Sequence, residues 1–79
     1  MQKKIVVYST DKCQYCKQIK EFLTKEGFKF TECNLSENPK KVKYIQEKTQ
    51  QMSVPVTFVG DKFVVGWKKM ELSRLLGLI

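Results

Sequence analysis

Apolar residues follow two different spacings along this chain, and the changes of spacing predict where strands and helices begin. A short β-branched run over residues 3–8 predicts a buried first strand. Apolar residues then recur at helical spacing over residues 14–26, and Gly27 follows where a helix commonly ends. Residues 28–35 predict a second strand, and the order strand–helix–strand predicts a parallel, right-handed unit.

The segment after the second strand has the composition of a helix start. Ser36 or Asn38 can cap the first turn, and Pro39 suits the first helical position. The spacing predicts a helix through about Gln51, with one apolar face marked by Val42, Ile45, Thr49 and Met52. Its lysines fall mostly on the opposite side, which we expect to face solvent.

A hairpin and a short helix complete the predicted pattern. The apolar runs 56–59 and 62–65 flank Gly60-Asp61, which is a two-residue hairpin signal. Apolar positions over residues 70–79 then predict a short amphipathic helix. The predicted element order is therefore β-α-β-α-β-β-α, and the 79 residues predict a single domain.

The chain is basic, with a net charge of +7 that arises from 14 lysines and one arginine against eight acidic residues. The lysines are scattered, and neither an arginine cluster nor a nucleic-acid motif accompanies them, so we expect no nucleic-acid partner. A solvated basic surface is the simplest interpretation, and attraction of an acidic partner or an anionic thiol is the alternative.

The N-terminus indicates where the protein works. Only four apolar residues follow the first four positions, which is too few for a signal peptide or a membrane span. The cysteine count is three, and an odd number does not fit a secreted disulfide framework. We therefore expect a cytoplasmic protein without membrane contact.

Two of the cysteines, Cys13 and Cys16, begin the first predicted helix. The free N–H groups and dipole of a helix N-terminus favour a thiolate at Cys13, and Lys12 and Lys17 add positive charge. Cys16 lies one turn further along the same helix face, so the two sulfurs can form a disulfide. This pattern indicates a redox switch, while a plain disulfide staple or half of a zinc site remains open.

Val54-Pro55 is the second informative dipeptide. A proline at the start of a strand cannot donate to the ladder. If the Val54–Pro55 bond were cis, the Val54 backbone would turn outward and its N–H and C=O could pair with an extended substrate as an added strand.

Together these features resemble the glutaredoxin-like redoxins of the thioredoxin fold, over nearly the whole chain. The resemblance is carried by Cys-x-x-Cys after the first strand, Val-Pro before the Gly-Asp hairpin, and Gly66-Trp67 before the last helix. It implies an α/β fold with a four-stranded mixed sheet in the order 2-1-3-4 and helices on both faces. The first and third helices would share one face.

The resemblance also implies a function and a set of site residues. The protein would be a thiol–disulfide oxidoreductase that reduces protein disulfides as a monomer, without a metal or a bound organic cofactor. Cys13 would be the nucleophile and Cys16 the resolving thiol. The remaining substrate-binding candidates are Lys12, Tyr15, Val54, cis-Pro55, Gly66 and Trp67.

Two departures from the family pattern bear on the electron donor. Gln14 stands where many glutaredoxins have proline, and the stretch after Val65 has one glycine and no aspartate where glutathione-using members typically have Gly-Gly and Asp. This is more similar to the small glutaredoxin-like proteins that include those serving ribonucleotide reductase. We therefore expect a thioredoxin-reductase-type flavoprotein as donor, with glutathione as the alternative co-substrate, and a partner disulfide in ribonucleotide reductase or a peroxide-reducing enzyme.

Other interpretations remain open at this point. Cys33 alternates with Thr31 and Leu35 and is expected to be a small inward residue, with a regulatory thiol as the alternative. A copper chaperone also carries Cys-x-x-Cys after its first strand, but its element order differs. Some glutaredoxins carry an iron–sulfur cluster between two monomers, and visible absorbance would identify that case.

Overall fold

The computed structural model describes residues 4–50 and 54–78 and shows four strands and three helices in the predicted order. The elements are β1 (Ile5–Ser9), α1 (Gln14–Lys25), β2 (Thr31–Asn34), α2 (Lys40–Thr49), β3 (Val56–Val59), β4 (Lys62–Val65) and α3 (Lys69–Leu75).

The strands form one mixed sheet in the order β2-β1-β3-β4. β1 and β2 are parallel, with Ser9 opposite Asn34. β3 lies antiparallel to both β1 and β4, with Val56 opposite Tyr8 on one side and Val65 on the other. The predicted sheet order and the predicted parallel β1–α1–β2 unit are confirmed.

The helices cover both faces of the sheet because its strands are apolar on both sides. One core cluster joins α1 and α3 to the sheet through Ile5, Val7, Ile19, Leu23, Val59 and Leu72. The other joins α2 to the opposite face through Tyr8, Leu35, Ile45, Val56 and Phe58. The predicted placement of α1 and α3 on one face, with α2 on the other, is confirmed.

The predicted bounds of β2 and of the last helix were wrong. β2 covers only residues 31–34 of the predicted 28–35, because only this stretch pairs with β1. Gln50 adopts a left-handed conformation (φ 60°) and ends α2, whose predicted end at Gln51 and face residue Met52 lie outside the described residues. α3 stops at Leu75, where the N–H of Leu78 donates to the carbonyl of Ser73 in a C-terminal turn.

The predicted caps of α2 were also wrong. Pro39 occupies the N-cap position, and no side chain caps the helix. The amide of Asn38 instead donates to the carbonyl of Asn34 at 2.9 Å, and the hydroxyl of Ser36 accepts from the N–H of Asp11 at 3.3 Å. Both side chains therefore hold the β2–α2 turn rather than the helix.

A small polar network joins α1 to the sheet and makes stability depend on pH. Glu32 Oε2 accepts from Lys20 Nζ at 2.7 Å and from the hydroxyl of buried Ser9 at 2.9 Å. The hydrogen bond from Lys20 holds the pKa of Glu32 below its usual value of 4.5. The stabilisation is therefore present above that value and is lost as the pH falls through the lower pKa of the folded state.

We expect Glu32→Gln to reduce this pH dependence. Both side chains of the ion pair are about a third exposed, at 35% and 38%, so solvent screens the interaction. It should therefore contribute only about 0.2–1 kcal/mol at low salt. In urea unfolding, the free energy of unfolding of the wild type should exceed that of the variant by this amount at about pH 6. The two free energies should be equal at about pH 2. An equal gap at both pH values would contradict the assignment.

Candidate active site

The sheet topology brings four loop segments to one end of the sheet. β1, β2 and β4 end there and β3 begins there, since Ser9 faces Asn34 and Val56 lies between Tyr8 and Val65. The turn before α1, the β2–α2 turn, the Val54–Pro55 bond and the Gly66 loop therefore share this end. Together with the first turn of α1, these segments contain all the site residues predicted from the sequence.

Cys13 and Cys16 are joined in a disulfide, with their Cα atoms 5.4 Å apart. Cys13 is the N-cap of α1 in extended conformation, and its Sγ accepts the N–H of Cys16 at 3.1 Å. Cys16 is 2% exposed, whereas Cys13 is only half-buried. Cys13 Sγ is therefore the sulfur that a partner can reach, and it accepts a hydrogen bond from a helix N–H.

Two lysines flank the disulfide, and the carboxylate of the preceding turn, that of Asp11, is bound by the side chain of Asn34. No acidic side chain lies in the first turn of α1, all of which the structure describes, and Lys12 and Lys17 are exposed on either side of the disulfide. The N–H of Cys13 donates to the carbonyl of Thr10 at 3.2 Å, so residues 10–13 form a tight turn that presents the cysteine. This environment favours an anionic sulfur.

The Val54–Pro55 peptide bond is cis, as the family resemblance implied. Pro55 is buried, and its carbonyl accepts the N–H of Gly66 at 2.7 Å. Gly66 has a φ of 86°, and a Cβ there would meet no atom within 4 Å, so its left-handed backbone rather than lack of space favours glycine. Val54 is half-buried against the α2-side cluster, and its role as a substrate clamp stays a prediction.

The other predicted contact residues differ in exposure. Tyr15 is 53% exposed and Lys12 is also exposed, so both are accessible beside the disulfide. Trp67 is half-buried, and its ring packs edge-on against Phe22 of α1 at a centroid distance of 5.7 Å. Trp67 thus anchors the last loop to the core and keeps part of its surface exposed, and its contact with a partner stays a prediction.

Cys33 faces the core cluster beneath α2, as predicted, but it is not fully buried. It is half-buried beside the α2-side cluster, while Thr31 is exposed and only Leu35 is buried. β2 is an edge strand of the sheet, and none of its four residues is fully buried. Cys33 is a free thiol.

Sequence reasoning missed one polar feature of this end of the sheet. Asn34 Nδ2 donates to Asp11 Oδ1 at 2.7 Å, so the end of β2 holds the turn before Cys13. Asn34 two residues before Ser36 is a common Asx-turn pattern, which the sequence does display. Its bond to Asp11 follows only from the parallel register of β1 and β2.

The described part of the chain has neither a cluster of metal ligands nor a helix that could span a membrane. Across residues 4–50 and 54–78, no three His, Cys, Asp or Glu side chains gather as metal ligands would. Within the same ranges, no helix has the length and apolar character needed to cross a bilayer.

Comparison with known proteins agrees with the geometry. The family model described as Glutaredoxin matches residues 5–64. The chain belongs to the glutaredoxin family. Membership supports thiol–disulfide oxidoreductase activity in general, and it accords with a disulfide at the start of α1 beside a cis-proline.

Two glutaredoxin-like relatives match over almost their whole length. A glutaredoxin-like 8.6 kDa protein in a rubredoxin operon of Clostridium pasteurianum is 31% identical over 72 residues, covering 91% of this chain and 96% of the relative. The glutaredoxin-like protein NrdH of Lactococcus lactis is 31% identical over 71 residues, covering 90% and 97%. The crystal structure of a glutaredoxin from Archaeoglobus fulgidus superposes with a TM-score of 0.82 at 29% identity, covering 92% and 85%. The thioredoxin-like fold predicted from the sequence is confirmed.

Proposed function

We propose that this redoxin reduces disulfides of other proteins by a dithiol mechanism, with Cys13 as nucleophile and Cys16 as resolving thiol. The observation that carries the proposal is the asymmetry of the pair. Cys13 is partly exposed and accepts a helix N–H, whereas Cys16 is 2% exposed one turn further in. The outer thiol is therefore both accessible and easier to ionise.

The reaction transfers two electrons in two exchange steps. The Cys13 thiolate attacks one sulfur of the partner disulfide, forming a mixed disulfide and releasing the other partner sulfur as a thiolate. Cys16 then loses its proton and attacks Cys13 Sγ, which forms the Cys13–Cys16 bond and releases the second partner thiolate. Both partner thiolates take up protons, and the disulfide left on the redoxin is the state that the structure shows.

The surrounding residues supply binding and charge. Lys12 and Lys17 stabilise the thiolate, and the exposed ring of Tyr15 contacts the partner beside it. The Val54 backbone, next to Pro55 at the same end of the sheet, pairs with an extended segment of the partner as an added strand. Gly66 and Trp67 form the side of the site nearest α3.

We further propose that a thioredoxin-reductase-type flavoprotein, rather than glutathione, reduces the disulfide. The ammonium of a bound γ-glutamyl group is stabilised by an acidic side chain. Lys68 and Lys69 follow Trp67 instead, and their positive charges would repel it. The ammonium of Lys69 lies 5.7 Å from the centroid of the Phe22 ring. Glu71, the nearest acidic candidate in the sequence, lines a cleft between α3 and β4 together with Arg74. Losing one charged contact costs about 1.5–3 kcal/mol, or about tenfold or more in affinity.

The biological setting follows as part of the same proposal. The protein works as a monomer of one domain in the cytoplasm, without a metal or a bound organic cofactor. Its partner disulfide belongs to ribonucleotide reductase or to a peroxide-reducing enzyme. The supporting observations are the resemblance to small glutaredoxin-like proteins and the match to NrdH of Lactococcus lactis.

Side-by-side NADPH-coupled assays test the donor. One contains a thioredoxin-reductase-type flavoprotein, and the other contains low-millimolar glutathione with glutathione reductase. We expect turnover with the flavoprotein to exceed that with glutathione by about tenfold or more. Lys68→Gln should raise the glutathione rate because it removes one repulsive charge. Equal rates with both donors would show an ordinary glutathione-dependent glutaredoxin.

A further inference from the structure

The Asn34 side chain is part of a closed ring of hydrogen bonds that includes Asp11, in the turn before Cys13. Its Nδ2 donates to the Asp11 carboxylate at 2.7 Å, and its Oδ1 accepts the N–H of Ser36 at 2.8 Å. The Ser36 hydroxyl closes the ring by accepting the N–H of Asp11 at 3.3 Å. Donor and acceptor of the amide are thus both engaged, each with a different loop.

Asn34 is itself held firmly by backbone contacts. It is the last residue of β2 and pairs with Ser9 in the parallel ladder, and the N–H of Leu35 next to it donates to the Ser9 carbonyl at 2.7 Å. Its own carbonyl accepts the backbone N–H of Glu37 at 3.1 Å. A side chain on such a fixed backbone can hold a neighbouring loop in one conformation.

The loop that it holds is the one that presents Cys13. Asp11 is the second residue of the Thr10–Cys13 turn, which is closed by the bond from the Cys13 N–H to the Thr10 carbonyl at 3.2 Å. The free N–H groups and dipole of a helix N-terminus attract carboxylates, so an Asp11 carboxylate released from Asn34 would compete with the Cys13 sulfur for the N–H groups of α1. The Asn34 amide keeps this carboxylate on the β2 side.

We propose that Asn34 is a positioning residue for Cys13, acting through Asp11 to keep the Cys13 sulfur on the Cys16 N–H; the role rests on the proposed function of Cys13 as the nucleophile. The Cys16 N–H stabilises a thiolate more than a thiol, because hydrogen bonds to a charged acceptor are the stronger ones. A loosened turn therefore lowers the thiolate fraction of Cys13 and slows its reaction at neutral pH.

The test follows the pH dependence of iodoacetamide alkylation at Cys13 in the reduced protein. Trypsin cleaves after Lys12 and Lys17, so Cys13 and Cys16 share one short peptide and Cys33 falls on another. Fragment masses then assign the alkylated sulfur. We expect Asn34→Ala to raise the midpoint by about half a unit, which means about threefold less thiolate below the midpoint. Asn34→Asp should raise the alkylation midpoint of Cys13 further. It replaces the amide donor by a second carboxylate, which repels Asp11 and adds negative charge near the turn.

Two further variants separate positioning from general damage to the turn. Asn38→Ala removes a hydrogen bond from the same turn but leaves the Asp11 contact, so its midpoint should match wild type. The double variant Asp11→Asn with Asn34→Asp keeps the net charge and reverses the direction of the hydrogen bond, so it should restore the wild-type midpoint. It also keeps the shape of both side chains, which protects the fold.

The outcomes distinguish this inference from the proposed function. An unchanged midpoint in Asn34→Ala, an equal shift in Asn38→Ala, or no restoration in the double variant would overturn the positioning role. A wild-type midpoint near the free-cysteine value of about 8.5 would instead overturn the activation of Cys13. In that case a shift in Asn34→Ala alone would still support the contact between Asn34 and the turn.

Discussion

Cys13→Ser is expected to abolish disulfide reduction, and Cys16→Ser is expected to stop the reaction after its first step. A serine hydroxyl is barely ionised at neutral pH and forms no disulfide, so turnover should fall at least about a thousandfold. Without Cys16, the mixed disulfide cannot be resolved from within the protein and should accumulate. Turnover is measured as NADPH consumption with a protein disulfide as the final acceptor.

Cys33→Ser is the matched control for both variants. It makes the same chemical change at the third cysteine, which lies half-buried in β2. We expect turnover close to wild type, because this thiol takes no part in the exchange steps. Residual turnover in Cys13→Ser, or a comparable loss in Cys33→Ser, would refute the assigned roles.

Leu23→Ala is expected to reduce the stability of the fold strongly. Leu23 is 0% exposed and packs between α1 and the sheet in the cluster that contains Val7 and Ile19. Truncating a fully buried leucine removes its transfer free energy and leaves a cavity, at a cost of about 2–5 kcal/mol. A domain of this size is stable by only about 5–15 kcal/mol, so the urea midpoint should fall visibly.

Thr24→Ala provides the comparison on the same helix. Thr24 is the next residue and is exposed, and alanine is a better helix former, so the free energy of unfolding should change by about 0.5 kcal/mol or less. If both variants unfolded at the same urea concentration, Leu23 would not be the core residue that the fold requires.

The architecture could be predicted from the sequence because the spacing of apolar residues and the position of the turn residues indicate the same elements. The helical spacing after Cys13, the Gly60-Asp61 turn and the β-branched strands each predicted an element that the structure contains. The predicted length of β2 failed because Phe28 and Phe30 alternate as strand residues do. In the folded chain both pack against the α1-side cluster ahead of the first ladder pair.

The site was predictable only as far as its motifs reach. Cys13 and Cys16 were identified from spacing and from their place at a helix start, and cis-Pro55 from the family resemblance. The contact of Asn34 with Asp11 joins residues 23 positions apart and depends on strand register. Propensity predicted Ser36 or Asn38 as the cap of α2, whereas the Ser36 hydroxyl accepts from Asp11 and the Asn38 amide donates to the Asn34 carbonyl four residues earlier.

The role of Cys13 as the attacking thiol can be tested by trapping a covalent complex and measuring its mass. The reduced Cys16→Ser variant, mixed with a disulfide-containing protein substrate, should form a covalent complex. Dithiothreitol should separate this complex by reducing the mixed disulfide. Peptide mapping should place the linkage at Cys13, and Cys13→Ser should form no such complex under the same conditions. A complex linked through Cys33, or one that forms with Cys13→Ser through Cys16, would contradict the account.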